Sequence, residues 1–141
     1  MTEGFLKRYS FNIVANDFMS AGKGSSVIKN LLKAMGIDAN VIRRIAIISY
    51  EAEINIVIHS YGGQLHCDLY EDKITIVSED VGPGIENVDL ALTEGYSTAP
   101  ESVRELGFGA GMGLPNMIKY SDNFEITSSS NGTLIKITIS L

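Results

Sequence analysis

Two pairs of strand-like segments are each joined by a connection too short to cross a sheet, and this limits the fold more than any other feature. Residues 64–70 and 73–80 alternate apolar and polar side chains and are separated only by Glu71-Asp72. Residues 124–128 and 133–139 do the same around the serine-rich turn Ser128-Ser129-Ser130-Asn131-Gly132. A parallel crossover needs a dozen residues or more, so each pair must close as an antiparallel hairpin. In the second, Asn131-Gly132 is expected to supply the positive φ angles of the turn.

The rest of the chain fits around these hairpins. Residues 9–15 alternate and predict a first strand. Asn16 or Asp17 is then placed to cap a helix to about Met35, ended by Gly36, with Val27, Ile28, Leu31, Leu32 and Met35 at helical spacing. Asp38 can cap a second helix to His59 or Ser60, with Val41, Ile42, Ile45, Ile48 and Ala52 on a wide apolar face. A short helix near 87–92, a polar stretch over 93–105 and a helix over 112–120 lie between the hairpins. The order β-α-α-β-β-(α)-loop-α-β-β predicts an α+β fold: a two-layer sandwich with a mixed, mostly antiparallel sheet covered on one face by helices. A doubly wound parallel sheet does not fit. At 141 residues, one domain over 1–141 is expected.

Composition removes several classes of function. A net charge of −6 argues against nucleic acid as a partner, because phosphate-backbone binding needs a basic face. The lone Cys67 excludes an intramolecular disulfide and a thiolate metal site. No apolar stretch reaches the span of a membrane, and the N-terminus lacks a secretory layout, so a cytoplasmic location is expected.

Three short segments carry the chemistry. In the second helix, Glu51, Asn55 and His59 stand four residues apart and form one polar stripe on an apolar helix. The stripe is either a solvent-facing edge or one wall of a site, where Glu offers a carboxylate base and Asn a hard oxygen suited to Mg²⁺. After the third strand comes Asp80-Val81-Gly82-Pro83-Gly84-Ile85, and Asp80 shares a strand face with Ile74 and Ile76. A carboxylate leaving an apolar face can accept a hydrogen bond from an exocyclic amine such as that of adenine. Third, Gly107, Gly109, Gly111 and Gly113 alternate just before a helix. Such loops are anion sites, because free N–H groups and the helix dipole point the same way. The run lacks the Gly-Lys-Ser/Thr of a Walker loop and does not follow a first parallel strand, so neither phosphate-loop fold applies.

Taken in order, Glu-x-x-x-Asn on a helix, Asp-x-Gly-x-Gly-Ile after a strand and Gly-x-Gly-x-Gly before a helix resemble the N box and two G boxes of the GHKL ATPases. The late Asn131-Gly132-Thr133 resembles that superfamily's last motif strand. The resemblance runs from about Tyr9 to Leu141 and implies the Bergerat ATP-binding fold. The small size, and Gly95-Tyr96-Ser97-Thr98 leading to the glycine run, resemble the bacterial anti-sigma-factor and stressosome switch serine/threonine kinases.

The resemblance implies the following roles. Asp80 binds the adenine amine with help from Thr133. Asn55 holds Mg²⁺. Glu51 is the general base for an attacking Ser or Thr hydroxyl. Gly82, Gly84, Ile85, Gly107, Gly109, Gly111, Met112, Gly113 and Leu114 wrap the nucleotide. Residues 93–106 form an ATP lid from which Arg104 reaches toward the γ-phosphate. His59 matches a common family histidine and is expected to be structural. Ile56 departs from the small residue usual after the Asn. The implied cofactors are ATP and Mg²⁺. The implied partners are a STAS-domain antagonist protein, a sigma factor or both, with a homodimer as the assembly such factors often form. A non-catalytic module that binds nucleotide and sequesters a regulator is the alternative.

Overall fold

A computed structural model describes residues 4–85, 87–93 and 113–141. In chain order it has β1 (Phe5–Ile13), α1 (Lys23–Ala34), α2 (Ala39–His59), β2 (Gly63–Tyr70), β3 (Lys73–Asp80), α3 (Val88–Ala91), α4 (Gly113–Tyr120), β4 (Asn123–Ser129) and β5 (Gly132–Ser140). The strands form one five-stranded sheet in the order β1-β2-β3-β5-β4. Every ladder among them is antiparallel, so both hairpins form as expected and no parallel pair makes the sheet mixed.

Alternation sorts the sheet into two faces. Leu65, Cys67 and Leu69 of β2, Ile74 and Ile76 of β3, and Ile135, Ile137 and Ile139 of β5 all point into the core. They meet Ile28 and Leu32 of α1, Ile45, Ile48, Ile56 and Val57 of α2, and Leu114 and Met117 of α4. Each fully buried Ile or Leu stabilises the fold by about 1.5–3 kcal/mol, so this apolar layer fixes where α2 lies and which of its residues face outward. The Cys67 thiol sits within this layer, 2% exposed, and burial pushes its pKa up to about 12.

Among the described residues the opposite face carries no helix, yet several of its polar groups are buried by one another. Arg8 donates from Nε and Nη2 to the two carboxylate oxygens of Asp68 at 2.6 and 2.8 Å. His66 lies between Ser10, whose Oγ is 2.8 Å from Nδ1, and Glu79, whose carboxylate is 3.2 Å from Nε2. A carboxylate only accepts, so Nε2 carries a proton, and in the neutral ring Nδ1 then accepts from the Ser10 hydroxyl.

Three boundaries differ from the sequence expectation. Strand β1 starts at Phe5, four residues earlier than the alternation suggests, because Arg8 is held on β2 by Asp68. Helix α1 starts at Lys23, after Gly22, without a side-chain cap of its own. Asp17 instead accepts a 3.3 Å bond from the Ser20 N–H, and Asn16 takes a φ of 62° in the intervening turns. The last hairpin turns on Ser130 and Asn131, while Gly132 is already the first residue of β5, paired with Ser129. Asn131 has no positive φ; among the described non-glycine residues only Asn16 does. Gly132, at φ 148°, serves a close approach instead, since a Cβ there would overlap the carbonyl oxygen of Asp80. By contrast, Asp38 caps α2 as expected, accepting a 3.1 Å bond from the Asn40 N–H.

Candidate functional site

Helix α2 contacts both α1 and α4. Burial of its apolar face leaves Glu51, Asn55 and His59 half-buried along one edge. The stripe is therefore neither core nor open solvent face. Gly113, the first residue of α4, packs against it: a Cβ at Gly113 would lie 3.2 Å from Glu51 Oε2 and 3.8 Å from Asn55 Oδ1. The last glycine of the alternating run thus meets the helix that carries the carboxylate and the amide. Burial raises the Glu51 pKa above its ordinary 4.5, and among the described residues no hydrogen bond offsets that rise. Burial lowers the His59 pKa in the same way. A carboxylate that resists ionisation and lacks a donor is suited to take a proton from an approaching hydroxyl.

Asp80, at the C-terminal end of β3, is held by the neighbouring strand. Its Oδ1 accepts the Thr133 N–H at 3.0 Å. Burial raises its pKa, and the Thr133 bond works against that rise. Among the described residues, no donor meets the second carboxylate oxygen. Residue 133 enters the site through its backbone as well as its side chain.

The Gly82–Gly84 loop is fixed by contacts that sequence reading missed. The Ile85 N–H donates to Ser128 Oγ at 2.7 Å, and Ser128 Oγ lies 2.9 Å from Thr133 Oγ1. Accepting from Ile85 leaves the Ser128 hydrogen free for Thr133, which ties the loop, β4 and β5 into one chain of bonds. Gly84 has a φ of 74°, and a Cβ there would overlap the Ser129 carbonyl oxygen, so only glycine fits. Ser128 reads from sequence as part of a serine-rich turn; its inward position in the alternation of β4 is the one available signal.

Glu53 is the other residue the sequence did not single out. It is 2% exposed, and its carboxylate accepts N–H bonds from Gly22 (2.8 Å), Gly24 (3.3 Å) and Ser25 (2.9 Å). A side chain from α2 therefore caps α1. No local spacing reveals this, because the partners lie 28 to 31 residues away.

Leu114, the second residue of α4, is buried and packs in the core. Arg104, Gly107, Gly109, Gly111, Met112 and the expected lid beyond residue 93 lie outside the described residues. Among the described residues, no group of three His, Cys, Asp or Glu gathers to hold a metal alone. Asn55 Oδ1 is a hard oxygen donor of the kind that binds Mg²⁺ when phosphates and water complete the shell. A trough of about 410 Å³ between α1 and α2 includes Glu51, Tyr50 and Lys29 in its lining.

An antiparallel sheet under one layer of helices, with a Glu/Asn helix edge facing a glycine-led helix and an Asp at a strand end, defines a Bergerat-type nucleotide-binding domain. The histidine kinase-like ATPase domain matches residues 17–139, and the chain belongs to that family. It is similar to anti-sigma F factors: 30% identical over 137 residues to that of Caldanaerobacter subterraneus, covering 90% of this chain and 92% of that one. Against the anti-sigma F factor of Clostridium novyi it is 37% identical over 92 residues, covering 60% of this chain and 61% of that protein. The crystal structure of the SiaB-SiaC complex from Pseudomonas aeruginosa shares the fold, with a TM-score of 0.62 at 11% identity over 97% of this chain and 90% of that one. Among the described residues, no helix is long and apolar enough to cross a membrane.

Proposed function

We propose that this chain is an ATP- and Mg²⁺-dependent serine/threonine-protein kinase of the anti-sigma/switch type. It phosphorylates a STAS-type antagonist protein and so controls the binding of a partner such as a sigma factor. The observation that carries this reading is Glu51: a half-buried carboxylate with a raised pKa, beside Asn55 and against Gly113. Nucleotide binding alone needs no such base.

In this reading Asp80 accepts the exocyclic amine of adenine, and the Thr133 N–H fixes the carboxylate's orientation. Asn55 would hold Mg²⁺ together with the nucleotide phosphates, and the ion would supply charge neutralisation. The acceptor hydroxyl oxygen forms a bond to the γ-phosphorus while the bond to the β,γ-bridging oxygen breaks. Its proton passes to Glu51, and ADP is the leaving group. The trough along α1 and α2 leaves Glu51 approachable by a macromolecular acceptor.

The alternative is a module that binds nucleotide and sequesters a regulator without transfer; the anti-sigma naming of its relatives favours it. One assay separates the two. The purified chain, ATP, Mg²⁺ and a candidate STAS-type protein are incubated and analysed by mass spectrometry for phosphoserine or phosphothreonine. Transfer that disappears in Glu51→Ala, with nucleotide binding retained, supports the kinase. Transfer that survives in Glu51→Ala removes Glu51 as base, and nucleotide-dependent binding without transfer supports the sequestering module.

A further inference from the structure

Strand β3 turns Ile74, Ile76, Ser78 and Asp80 to the helix-covered side of the sheet. The two isoleucines belong to the core and Asp80 to the candidate site, so Ser78 stands at the border between them. Its partners across the sheet are Leu65 of β2 and Ile135 of β5, which are themselves core residues. Ser78 is 2% exposed. A hydroxyl buried beside apolar neighbours costs stability unless it is hydrogen-bonded. Among the described residues, no hydrogen bond reaches it.

The hydroxyl is nevertheless not sealed. Among the described residues, every buried side-chain oxygen or nitrogen that is closed off from solvent has a hydrogen-bond partner. Ser78 Oγ has none, so the little exposure left to this residue includes Oγ. The hydroxyl therefore meets space that a water or a ligand atom can enter, on the face that also carries Asp80 and Thr133. There, one Asp80 oxygen is taken by the Thr133 N–H, and the Thr133 hydroxyl is engaged with Ser128. The Ser78 hydroxyl is uncommitted. Alternate residues on one strand face lie about 7 Å apart, which lets one flat base lie against both Ser78 and Asp80.

We propose that Ser78 is a specificity-determining residue of the nucleotide site, its hydroxyl donating to ring nitrogen N1 of adenine, directly or through one water. This rests on the reading of Asp80 as the acceptor for the exocyclic amine. The amine and N1 are neighbours on one edge of the base. The carboxylate takes the hydrogen that this edge donates, and the hydroxyl supplies the one that it accepts. An apolar side chain at position 78 would pack better in the core and leave N1 unread.

Nucleotide affinity of the full chain is measured by isothermal titration with ATP, 1-deaza-ATP and 7-deaza-ATP, for the original chain and for Ser78→Ala. The substitution should weaken ATP binding about three- to tenfold, the worth of one neutral hydrogen bond. In 1-deaza-ATP a C–H replaces N1, so this analogue should lose a similar factor in the original chain and nothing further in Ser78→Ala. In 7-deaza-ATP N1 is kept, so the full effect of the substitution should remain. Without nucleotide, the variant should melt at or above the temperature of the original chain, because the deleted hydroxyl has no protein partner. The proposal fails if Ser78→Ala binds ATP as tightly as the original chain, if 1-deaza-ATP responds to the substitution as ATP does, or if the variant melts lower. Asp80→Asn separates this outcome from the reading beneath it. If ATP does not bind, or if Asp80→Asn leaves its affinity unchanged, the nucleotide reading falls and the role of Ser78 falls with it. If Asp80→Asn weakens ATP binding and Ser78→Ala does not, only the role of Ser78 falls.

Discussion

On the side of α2 that faces α1, Glu53 is sealed from solvent and its carboxylate accepts three backbone N–H bonds. On the side that faces α4, two residues earlier, Glu51 is half-buried against Gly113, and burial raises its pKa with no bond from the described residues to offset it. The same side-chain chemistry on one helix is used in opposite ways. A buried carboxylate whose lone pairs are met by fixed donors is a structural cap. One that is desolvated without donors retains its appetite for a proton. Burial alone does not separate structure from chemistry; the hydrogen-bond account does.

The largest effect that would sharpen this contrast is on rate. Glu51→Ala should lower phosphoryl transfer by about 10²–10⁴-fold, the usual contribution of a positioned base, while equilibrium nucleotide binding stays close to the original. If Glu53→Ala rather than Glu51→Ala removed transfer at unchanged stability, the two roles would have to be exchanged. Next, Glu53→Ala should destabilise the fold by about 2–4 kcal/mol, since it strands the donors at the start of α1. In urea this appears as a lower midpoint with the slope unchanged.

Asp80→Asn tests the other end of the site. It should weaken nucleotide binding by about 10–100-fold in a fluorescence titration, the loss of one charge-assisted hydrogen bond. Ser25→Ala is a smaller change on the α1 side. It removes the 3.0 Å bond from Ser25 Oγ to the Gly22 carbonyl but keeps the Ser25 N–H bond to Glu53, so about 1 kcal/mol is expected.

The smallest effect has an informative sign. Because Glu51's folded pKa lies above its ordinary 4.5, the proton it binds stabilises the fold at low pH. That contribution is lost as pH rises from below 4.5 through the folded value. Glu51→Gln should therefore match or slightly exceed the melting temperature of the original chain at pH 7, although it cannot accept the proton. In the original chain, transfer should fall as pH drops through the raised pKa. A Glu51→Gln variant less stable at pH 7 than the original would mean that the carboxylate is held by donors after all.

The sequence showed the sheet's hairpins and three nucleotide-box motifs because both signals are local: alternation has a period of two, and each box lies within one short segment. The end-to-end meeting of Gly113 with Glu51 and Asn55 was legible only through the resemblance, since the positions are far apart in the chain. Glu53 was not legible, because a cap delivered by another helix leaves no mark near the helix it caps; Asn16 and Asp17 looked like the better candidates by position. The turn at Ser130-Asn131 was hidden for a related reason: Gly132 is required by the proximity of Asp80, a contact across the sheet, and not by the turn beside it.

The chain's single thiol also lends itself to measurement. Cys67 lies in the middle of the sheet's covered face and is kept protonated by burial. Reaction with a thiol reagent therefore requires the helices to lift off the sheet. The labelling rate at neutral pH becomes a reading, from one native atom, of how often the two layers separate. Followed with and without nucleotide, it would report whether an occupied pocket holds the layers together, without introducing any foreign probe.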